Sequence, residues 1–278
     1  MSTSNERADP RAGFCPKCGA LNGADFHRCI RCGAAISAGA AGVDLARGHL
    51  DGRSLLGAKA LLGATICVFA LQFSAALRGI EHATLHYGAL PMDTEAALAE
   101  PWRLLSSVFV HYGILHIVMN MLGLANFGRI AEPALGTSRF LIAYVTTGLL
   151  GSVASVAYAH FAGGGGETAG ASGAVFGMMG VVLGWMLRRR DPRWKEWAVQ
   201  AVFYSLLFGF AVNRSGVGIM INNTAHVAGL LSGIIFGVAY AGARPRSDLW
   251  ANVAAAVGVF ACVVSIILPH LSSLGRAG

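Results

Sequence analysis

The amino-acid sequence predicts an all-α polytopic membrane protein in which seven transmembrane helices follow a small cysteine-rich module. Of its 278 residues, 55% are hydrophobic and only 13% are charged, whereas soluble domains contain roughly 25% charged residues. After Lys59 the chain consists of long apolar runs separated by short polar breaks, and four of the six cysteines precede that point. Such a chain has too little polar surface to dissolve as a globule, and its composition also excludes a disordered, collagenous or coiled-coil protein.

The cysteine-rich module contains two C-x-x-C motifs, Cys15–Cys18 and Cys29–Cys32, each followed by a glycine. Four thiolates with this spacing suit tetrahedral zinc, and the glycines suit the tight turns around the metal. Two disulfides and a redox C-x-x-C are the alternatives. Thiols on the cytoplasmic side stay reduced, however, and the βαβ context of a thioredoxin is missing. We therefore expect a structural Zn²⁺ ribbon at 13–36, similar to the ribbons at bacterial protein N-termini, with a protein partner and without catalysis.

The predicted domains are an N-terminal segment 1–36 that holds the ribbon, a flexible linker 37–59, a helical core 60–243, and a seventh helix with its tail at 244–278. The N-terminus has no apolar core of a signal peptide, so we expect no cleaved signal. Seven apolar runs have about the 17–25 residues that a bilayer requires; they are 60–77, 113–131, 140–162, 171–187, 197–212, 224–243 and 249–268.

The basic residues predict the orientation of these spans. With the N-terminus inside, the inner segments hold 17 of the 21 Lys and Arg and 9 of the 14 Asp and Glu. The excess of basic residues therefore follows the positive-inside rule, and seven spans place the C-terminus outside. We expect a multi-pass protein of the bacterial inner (plasma) membrane with a cytoplasmic N-terminus. The net charge of +7 is then a topology signal, and no nucleic-acid partner is expected.

Polar residues inside a bilayer are costly and mark candidate functional sites. In this topology the even-numbered spans all begin outside, and each carries a polar cluster at its start. The clusters are His111, His116 and Asn120 at span two, Gly170 to Gly173 around Ser172 at span four, and Ala225 to Gly229 around His226 at span six.

Small residues predict that spans four and six pack closely. Span six has Ala225, Gly229, Gly233 and Gly237 at four-residue spacing, and span four has Gly173, Gly177, Gly180 and Gly184. Such faces let two helices approach closely in a membrane. Because both helices begin outside, we expect Ser172 and His226 to face each other across this contact.

A facing serine and histidine suit nucleophilic catalysis, since the imidazole removes the proton of the otherwise weakly nucleophilic hydroxyl. The backbone N–H of Ser172 at a helix N-terminus and the side chains of His116 and Asn120 are candidate donors to the oxyanion. Each residue also has a purely structural alternative. These alternatives are a hydrogen bond from Ser172 to its own helix, core packing of His226, and an interhelical hydrogen bond made by His116 and Asn120.

Together these motifs resemble the rhomboid family of intramembrane serine proteases. The resemblance covers 60–243. It rests on Trp102-Arg103 in the first outer loop, His111 with His116-x-x-x-Asn120, Gly170-Ala171-Ser172-Gly173, and Ala225-His226-x-x-Gly229.

The resemblance implies a six-helix core, here with one helix appended, and catalysis without a cofactor. It makes Ser172 the nucleophile and His226 the general base and acid. It also assigns the oxyanion hole to His116, Asn120 and the Ser172 N–H, and packs Phe176 against the imidazole. Supporting positions are Gly170, Gly173, Gly229, His111, Trp102 and Arg103. The implied substrates are transmembrane segments that enter from the lipid bilayer and are cleaved near the outer face.

Two other function classes remain. One is an inactive rhomboid-like protein that binds or chaperones membrane clients, which would require a defect in the Ser172–His226 pair. The other is a seven-helix transporter, which predicts ionisable groups at the bilayer midplane. The polar clusters lie towards one face instead, which argues against a transporter.

Overall fold

The computed structural model describes residues 13–14, 21–22, 28–29, 31–35, 55–203, 221–241 and 249–274. These residues form helices and two very small sheets. The long helices are α1 (Leu56–Leu77), α5 (Ile114–Leu135), α6 (Thr137–Ala162), α7 (Ser172–Arg189), α9 (Asn223–Tyr240) and α10 (Leu249–Leu274). The short helices are α2 (Ala83–His86), α3 (Thr94–Ala99), α4 (Arg103–Ser106) and α8 (Trp194–Val202). The strands are β1 (Gly13–Phe14), β2 (Leu21–Asn22), β3 (Leu90–Pro91) and β4 (Glu167–Thr168).

The described part of the cysteine-rich module contains two similar antiparallel pairings. Phe14 of β1 pairs with Leu21 of β2, and an isolated bridge joins Arg28 to Ala35. Each pairing encloses six residues that begin with a cysteine, C-P-K-C-G-A in the first and C-I-R-C-G-A in the second. Cys29 and Cys32 are described, whereas Cys15, Cys18 and residues 37–54 of the predicted linker lie outside the described residues.

The predicted all-α polytopic fold is confirmed. Five of the described helices are long and apolar enough to cross a membrane: α1, α5, α6, α9 and α10 up to Leu268. The predicted span 171–187 corresponds to α7, whose glycines and terminal arginines lower its average hydropathy although most of its side chains are buried. The predicted span 197–212 begins within α8, and its part beyond Phe203 lies outside the described residues.

Helix α1 begins at Leu56, four residues before the predicted span and inside the predicted linker. The cause is the carboxylate of Glu132, which is buried near the far end of α5. It accepts hydrogen bonds from the backbone N–H groups of Gly57 (2.9 Å) and Ala58 (2.8 Å) and from the Thr137 hydroxyl (2.8 Å). The first N–H groups of a helix lack intrahelical acceptors. The carboxylate therefore satisfies two of them and fixes the start of α1.

Helices α7 and α9 run parallel with their backbones in contact, as the small-residue pattern predicts. A Cβ on Gly229 would collide with the carbonyl oxygen of Gly173, and one on Gly233 with that of Gly177. One on Gly237 would collide with the Val181 carbonyl oxygen. The contacts advance in the same direction along both helices, so α7 and α9 begin at the same end of the bundle, which we call the serine end.

The first loop, 78–112, is an ordered structure at the serine end that carries three short helices and one strand. Arg103 is buried within it, forms an ion pair with Glu100, and donates hydrogen bonds to the carbonyl oxygens of Leu85 (2.7 Å) and Ala89 (3.0 Å). A guanidinium in this position satisfies several backbone acceptors that lie away from water. Arg103 thereby holds together the chain segments on either side of α3.

The opposite end of α7 carries the basic turn that sets the predicted orientation. Asp191 is buried there and binds the guanidinium of Arg193, with Nη2 to Oδ2 at 2.7 Å. Burial alone would raise the pKa of Asp191, but hydrogen bonds from the Arg193 side chain and backbone outweigh it and lower the pKa. The turn therefore keeps an ionised pair at the end of the bundle remote from the serine.

Candidate active site

Ser172 is the first residue of α7 and follows a sharply turned backbone at Gly170. Gly170 has a φ of +131°, which an L-residue rarely adopts, and its N–H donates to the carbonyl oxygen of Ser107 (2.8 Å). The preceding strand β4 pairs with β3 of the first loop, with Leu90 opposite Thr168. The first loop thus holds the segment before Ser172 at two points, through the β3–β4 pairing and through the hydrogen bond of Gly170.

His226 lies in the first turn of α9 and is 6% exposed. Phe176, one turn beyond Ser172 on α7, stacks on its imidazole with ring centroids 4.2 Å apart and planes 24° apart. Within the described residues the Nδ1 atom of His226 has no hydrogen-bond partner. No described carboxylate therefore hydrogen-bonds to this ring nitrogen.

The α7–α9 contact brings the two candidate catalytic residues to the same level of the bundle. Gly173 follows Ser172 and touches Gly229, which lies three residues after His226. Within the described chain, however, no hydrogen bond joins the Ser172 hydroxyl to His226. Catalytic hydrogen bonds are often long without substrate and tighten in the reacting complex.

The predicted oxyanion donors lie beside the Gly170 turn. A Cβ on Gly170 would lie 2.8 Å from Nε2 of His116 and 3.9 Å from Nδ2 of Asn120. The Tyr112 N–H makes a long hydrogen bond of 3.5 Å to Nδ1 of His116. An amide N–H only donates, so Nδ1 is the acceptor and the neutral ring carries its proton on Nε2. His116 thus offers an N–H donor on the side that faces the turn before Ser172.

His111 supports the same turn through its ring. Its Nε2 accepts the N–H of Ala171 (3.3 Å), and its Nδ1 donates to the carbonyl oxygen of Phe109 (3.3 Å). Both ring nitrogens are therefore used by a neutral imidazole. The His111 side chain is fully buried. Its hydrogen-bond partner Ala171 lies directly before Ser172 in the chain. His111 therefore acts on the backbone that presents the serine.

Trp102 lies directly before Arg103 at the start of α4. Its indole Nε1 is buried without a hydrogen-bond partner among the described residues. The structure brings Trp102 and Arg103 into the first loop, which joins the serine segment through the β3–β4 pairing. Neither side chain has a hydrogen bond to Ser172 or His226 in the described part of the chain, so both belong to the surroundings of the site.

A small cavity of about 20 Å³ lies next to Ser172. Its walls include the polar residues Ser107, Ser152, Ser155, Thr168 and Asn222. A cavity of this size with several polar partners is large enough to hold one water molecule. Ser172 is therefore adjacent to a place where water can bind inside the helical bundle.

Two polar residues of the site were missed by the sequence analysis. Gln72 of α1 is buried and forms two hydrogen bonds with the backbone of His111, from its Nε2 to the carbonyl oxygen (2.7 Å) and from the His111 N–H to its Oε1 (3.2 Å). Asn222 precedes α9 and links it to two other elements. A polar residue in an apolar span and an Asn before a helix are signals that point to these positions.

Comparison with known proteins identifies the family. The model of the rhomboid domain matches residues 98–243, more than half of the chain. The chain belongs to the rhomboid family. This rhomboid is 32% identical over 180 residues to Rhomboid protease GluP of Bacillus subtilis (strain 168). That match covers 64% of this chain and 33% of the relative. It is 33% identical over 156 residues to RHOMBOID-like protein 1 of Arabidopsis thaliana, and this match covers 55% of this chain and 38% of the relative.

A third relative is RHOMBOID-like protein 6, mitochondrial, of Arabidopsis thaliana, with 33% identity over 153 residues. That match covers 54% of this chain and 47% of the relative. The rhomboid described here thus spans a third to a half of the length of these relatives. The matched family region, 98–243, begins just before Trp102 and includes every residue proposed for the dyad and the oxyanion hole.

Proposed function

We propose that this rhomboid is an intramembrane serine endopeptidase with Ser172 as nucleophile and His226 as general base. The observation that carries the proposal is the backbone contact of Gly173 with Gly229, which holds the two helix starts at one level. The stacked ring of Phe176 and the donors beside Gly170 surround the pair. A serine, a buried imidazole and oxyanion donors at one site are the parts that acyl transfer needs.

The proposed reaction begins when His226 removes the proton of the Ser172 hydroxyl and the oxygen attacks a peptide carbonyl. The tetrahedral oxyanion is stabilised by the N–H of Ser172, Nε2–H of His116 and Nδ2 of Asn120. Protonated His226 gives its proton to the leaving amine as the C–N bond breaks, which leaves an acyl-enzyme. Water then attacks the ester while His226 accepts and returns one proton, and Ser172 is regenerated.

The proposed substrates are transmembrane segments cleaved near the serine end. A helical substrate keeps its backbone groups hydrogen-bonded in the bilayer, so its carbonyl becomes available only after local unwinding. Small residues at the cleavage point and helix-destabilising residues beyond it should therefore favour cleavage. The inactive, client-binding alternative would require that the Ser172 hydroxyl never reaches His226.

The proposal is tested with purified full-length protein and a single-span reporter in detergent. We expect the parent to release the reporter fragment, and Ser172→Ala and His226→Ala each to lower the rate by at least about 10³-fold. Correct folding of each variant is checked from its thermal midpoint. A Ser172→Ala variant that cleaves at the parental rate would exclude the dyad, and a folded but inactive parent would favour the client-binding alternative.

We also propose that the N-terminal module binds one structural Zn²⁺ through Cys15, Cys18, Cys29 and Cys32. Around the second pair of cysteines, the Sγ atom of Cys29 accepts a hydrogen bond from the Arg31 N–H at 3.4 Å. The Cys29 carbonyl oxygen accepts the Gly33 N–H, and Gly33 has a φ of +70°, as in a tight turn. Backbone N–H groups that point at a cysteine sulphur favour the thiolate that zinc requires. Each C-x-x-C motif lies in a six-residue segment enclosed by one antiparallel pairing. This similarity supports a ligand set to which both motifs contribute equally.

The zinc proposal predicts about one Zn²⁺ per chain by elemental analysis. The Cys15→Ser/Cys29→Ser variant should lose the metal while reporter cleavage continues, because the bundle carries the proposed catalytic groups. Equal zinc content in the parent and the variant would contradict the ligand assignment. We propose that the ribbon docks a protein partner on the cytoplasmic side.

We further propose that the protein resides in a bacterial inner membrane with a cytoplasmic N-terminus and an outer C-terminus. The support is the charge distribution, because 17 of the 21 basic residues fall in the segments assigned to the inside. This orientation places the serine end outside.

A further inference from the structure

We propose that Asn222 is a positioning residue that sets the location of His226 relative to Ser172. The inference rests on the proposed protease function and adds a residue to its machinery. Asn222 is the residue before α9, and its side chain forms hydrogen bonds with three different elements. It acts through its neighbours and makes no hydrogen bond with either member of the dyad through its side chain.

The acceptor groups of Asn222 fix the first turn of α9. Its Oδ1 accepts the N–H of Ala225 (3.0 Å), and its backbone carbonyl accepts the N–H of His226 (3.2 Å). Asn is a favoured N-cap residue because its side chain satisfies a helix N–H that has no intrahelical acceptor. The backbone of the proposed general base is thus held directly by Asn222.

The donor group of Asn222 joins this turn to the serine segment and to α6. Its Nδ2 donates to the hydroxyl of Ser155 on α6 (2.8 Å) and to the hydroxyl of Thr168 on β4 (2.9 Å). Ser155 in turn donates to the carbonyl oxygen of Gly151 (2.8 Å), so its oxygen is free to accept. Thr168 precedes Ser172 by four residues, and β4 leads into the turn at Gly170.

These hydrogen bonds constrain a motion that the glycine contact leaves open. The contact of Gly173 with Gly229 fixes how closely α7 and α9 approach. A rotation or displacement of the first turn of α9, which precedes Gly229, would move the imidazole away from Ser172 without separating the helices at their glycine contacts. The amide of Asn222 ties that turn to the β4 segment. A misplacement of about 1 Å in a catalytic group can cost roughly 100-fold in rate.

The experiment separates the helix cap from the amide bridge. Asn222→Ser keeps a favoured cap but is too short to reach both Ser155 and Thr168. Asn222→Asp keeps the cap and presents two acceptors to which both hydroxyls can donate after rotation, so it can re-form the bridge. The matched control is Asn126→Ser, since Asn126 is an exposed asparagine of α5 whose side chain binds Arg129 remote from the serine.

We expect Asn222→Ser to lower kcat about tenfold, with KM and the thermal midpoint close to those of the parent, because positioning affects the chemical step. Labelling of Ser172 by a fluorophosphonate should slow in proportion, since it requires no transmembrane substrate. Asn222→Asp should recover most of the rate, and Asn126→Ser should match the parent in every readout.

Three results would overturn the inference. They are a parental kcat in Asn222→Ser, a decrease in its kcat that equals the fraction of unfolded protein, and a kcat of Asn222→Asp no higher than that of Asn222→Ser. The failure of the proposed function gives a different result. In that case the parent itself neither cleaves nor labels at Ser172, whereas failure of the Asn222 inference alone leaves the parent active.

Discussion

At the residue scale, the rings of His111 and His116 have hydrogen bonds that assign their tautomers, whereas Nδ1 of His226 has no partner among the described residues. His111 uses both ring nitrogens, and His116 accepts on one nitrogen and presents a donor on the other. The sequence predicts Ser172 and His226 because their motifs are local. The tautomers of His111 and His116 depend on backbone groups brought near by the fold, and no sequence pattern specifies them.

The stacking of Phe176 on His226 predicts a residue-level effect. Phe176→Leu should lower kcat about tenfold, because the imidazole loses the flat surface that fixes its plane, while KM changes little. The control is Phe161→Leu, whose ring is on α6 and almost fully exposed. The measurement is reporter cleavage at varied substrate concentration. Equal kcat for Phe176→Leu and Phe161→Leu would show that stacking does not orient the imidazole.

At the element scale, the sequence predicts the α7–α9 packing but not every helix boundary. Glycines at regular spacing are a local pattern, and the backbone contacts of Gly229 and Gly233 with α7 confirm it. The start of α1 at Leu56 depends instead on Glu132, which lies more than 70 residues further along the chain. A helix end that is fixed by a distant carboxylate has no signal in its own segment.

The backbone contact between α7 and α9 predicts how the bundle responds to a larger residue. Gly233→Leu should separate the helices, lower the thermal midpoint by several degrees and reduce cleavage at least about tenfold, because the side chain would collide with the Gly177 carbonyl. Gly63→Leu is the control, since Gly63 is exposed on α1 and a Cβ there meets nothing within 4 Å. Unchanged stability and turnover in Gly233→Leu would contradict close packing.

At the scale of the whole molecule, composition and motifs predict the membrane fold and the rhomboid family, but not the conformation of the first loop. That loop contains a two-residue strand and three helices of four to six residues. Its shape depends on Arg103, which binds carbonyl groups 14 and 18 residues away. Elements this short carry almost no periodicity, so only long-range contacts define them.

The proposed orientation predicts which end of the bundle is reachable from outside the cell. Cysteines are introduced singly by Gly165→Cys, in the exposed loop after α6, and Arg188→Cys, exposed near the basic end of α7. The parent carries six cysteines of its own, so each variant is compared with it. A membrane-impermeant maleimide added to intact cells should give extra label only in the first variant, and both variants should give extra label after lysis. Selective labelling at residue 188 in intact cells would reverse the proposed topology.

The most direct test of the proposed mechanism is identification of the residue that reacts with a fluorophosphonate. Purified parent protein is labelled, digested and examined by mass spectrometry, with His226→Ala treated in parallel. We expect a single adduct on Ser172 in the parent and labelling slowed at least about 10³-fold in His226→Ala, because the serine then lacks its general base. An adduct on another residue, or equal labelling of Ser172 in both proteins, would contradict the Ser172–His226 dyad.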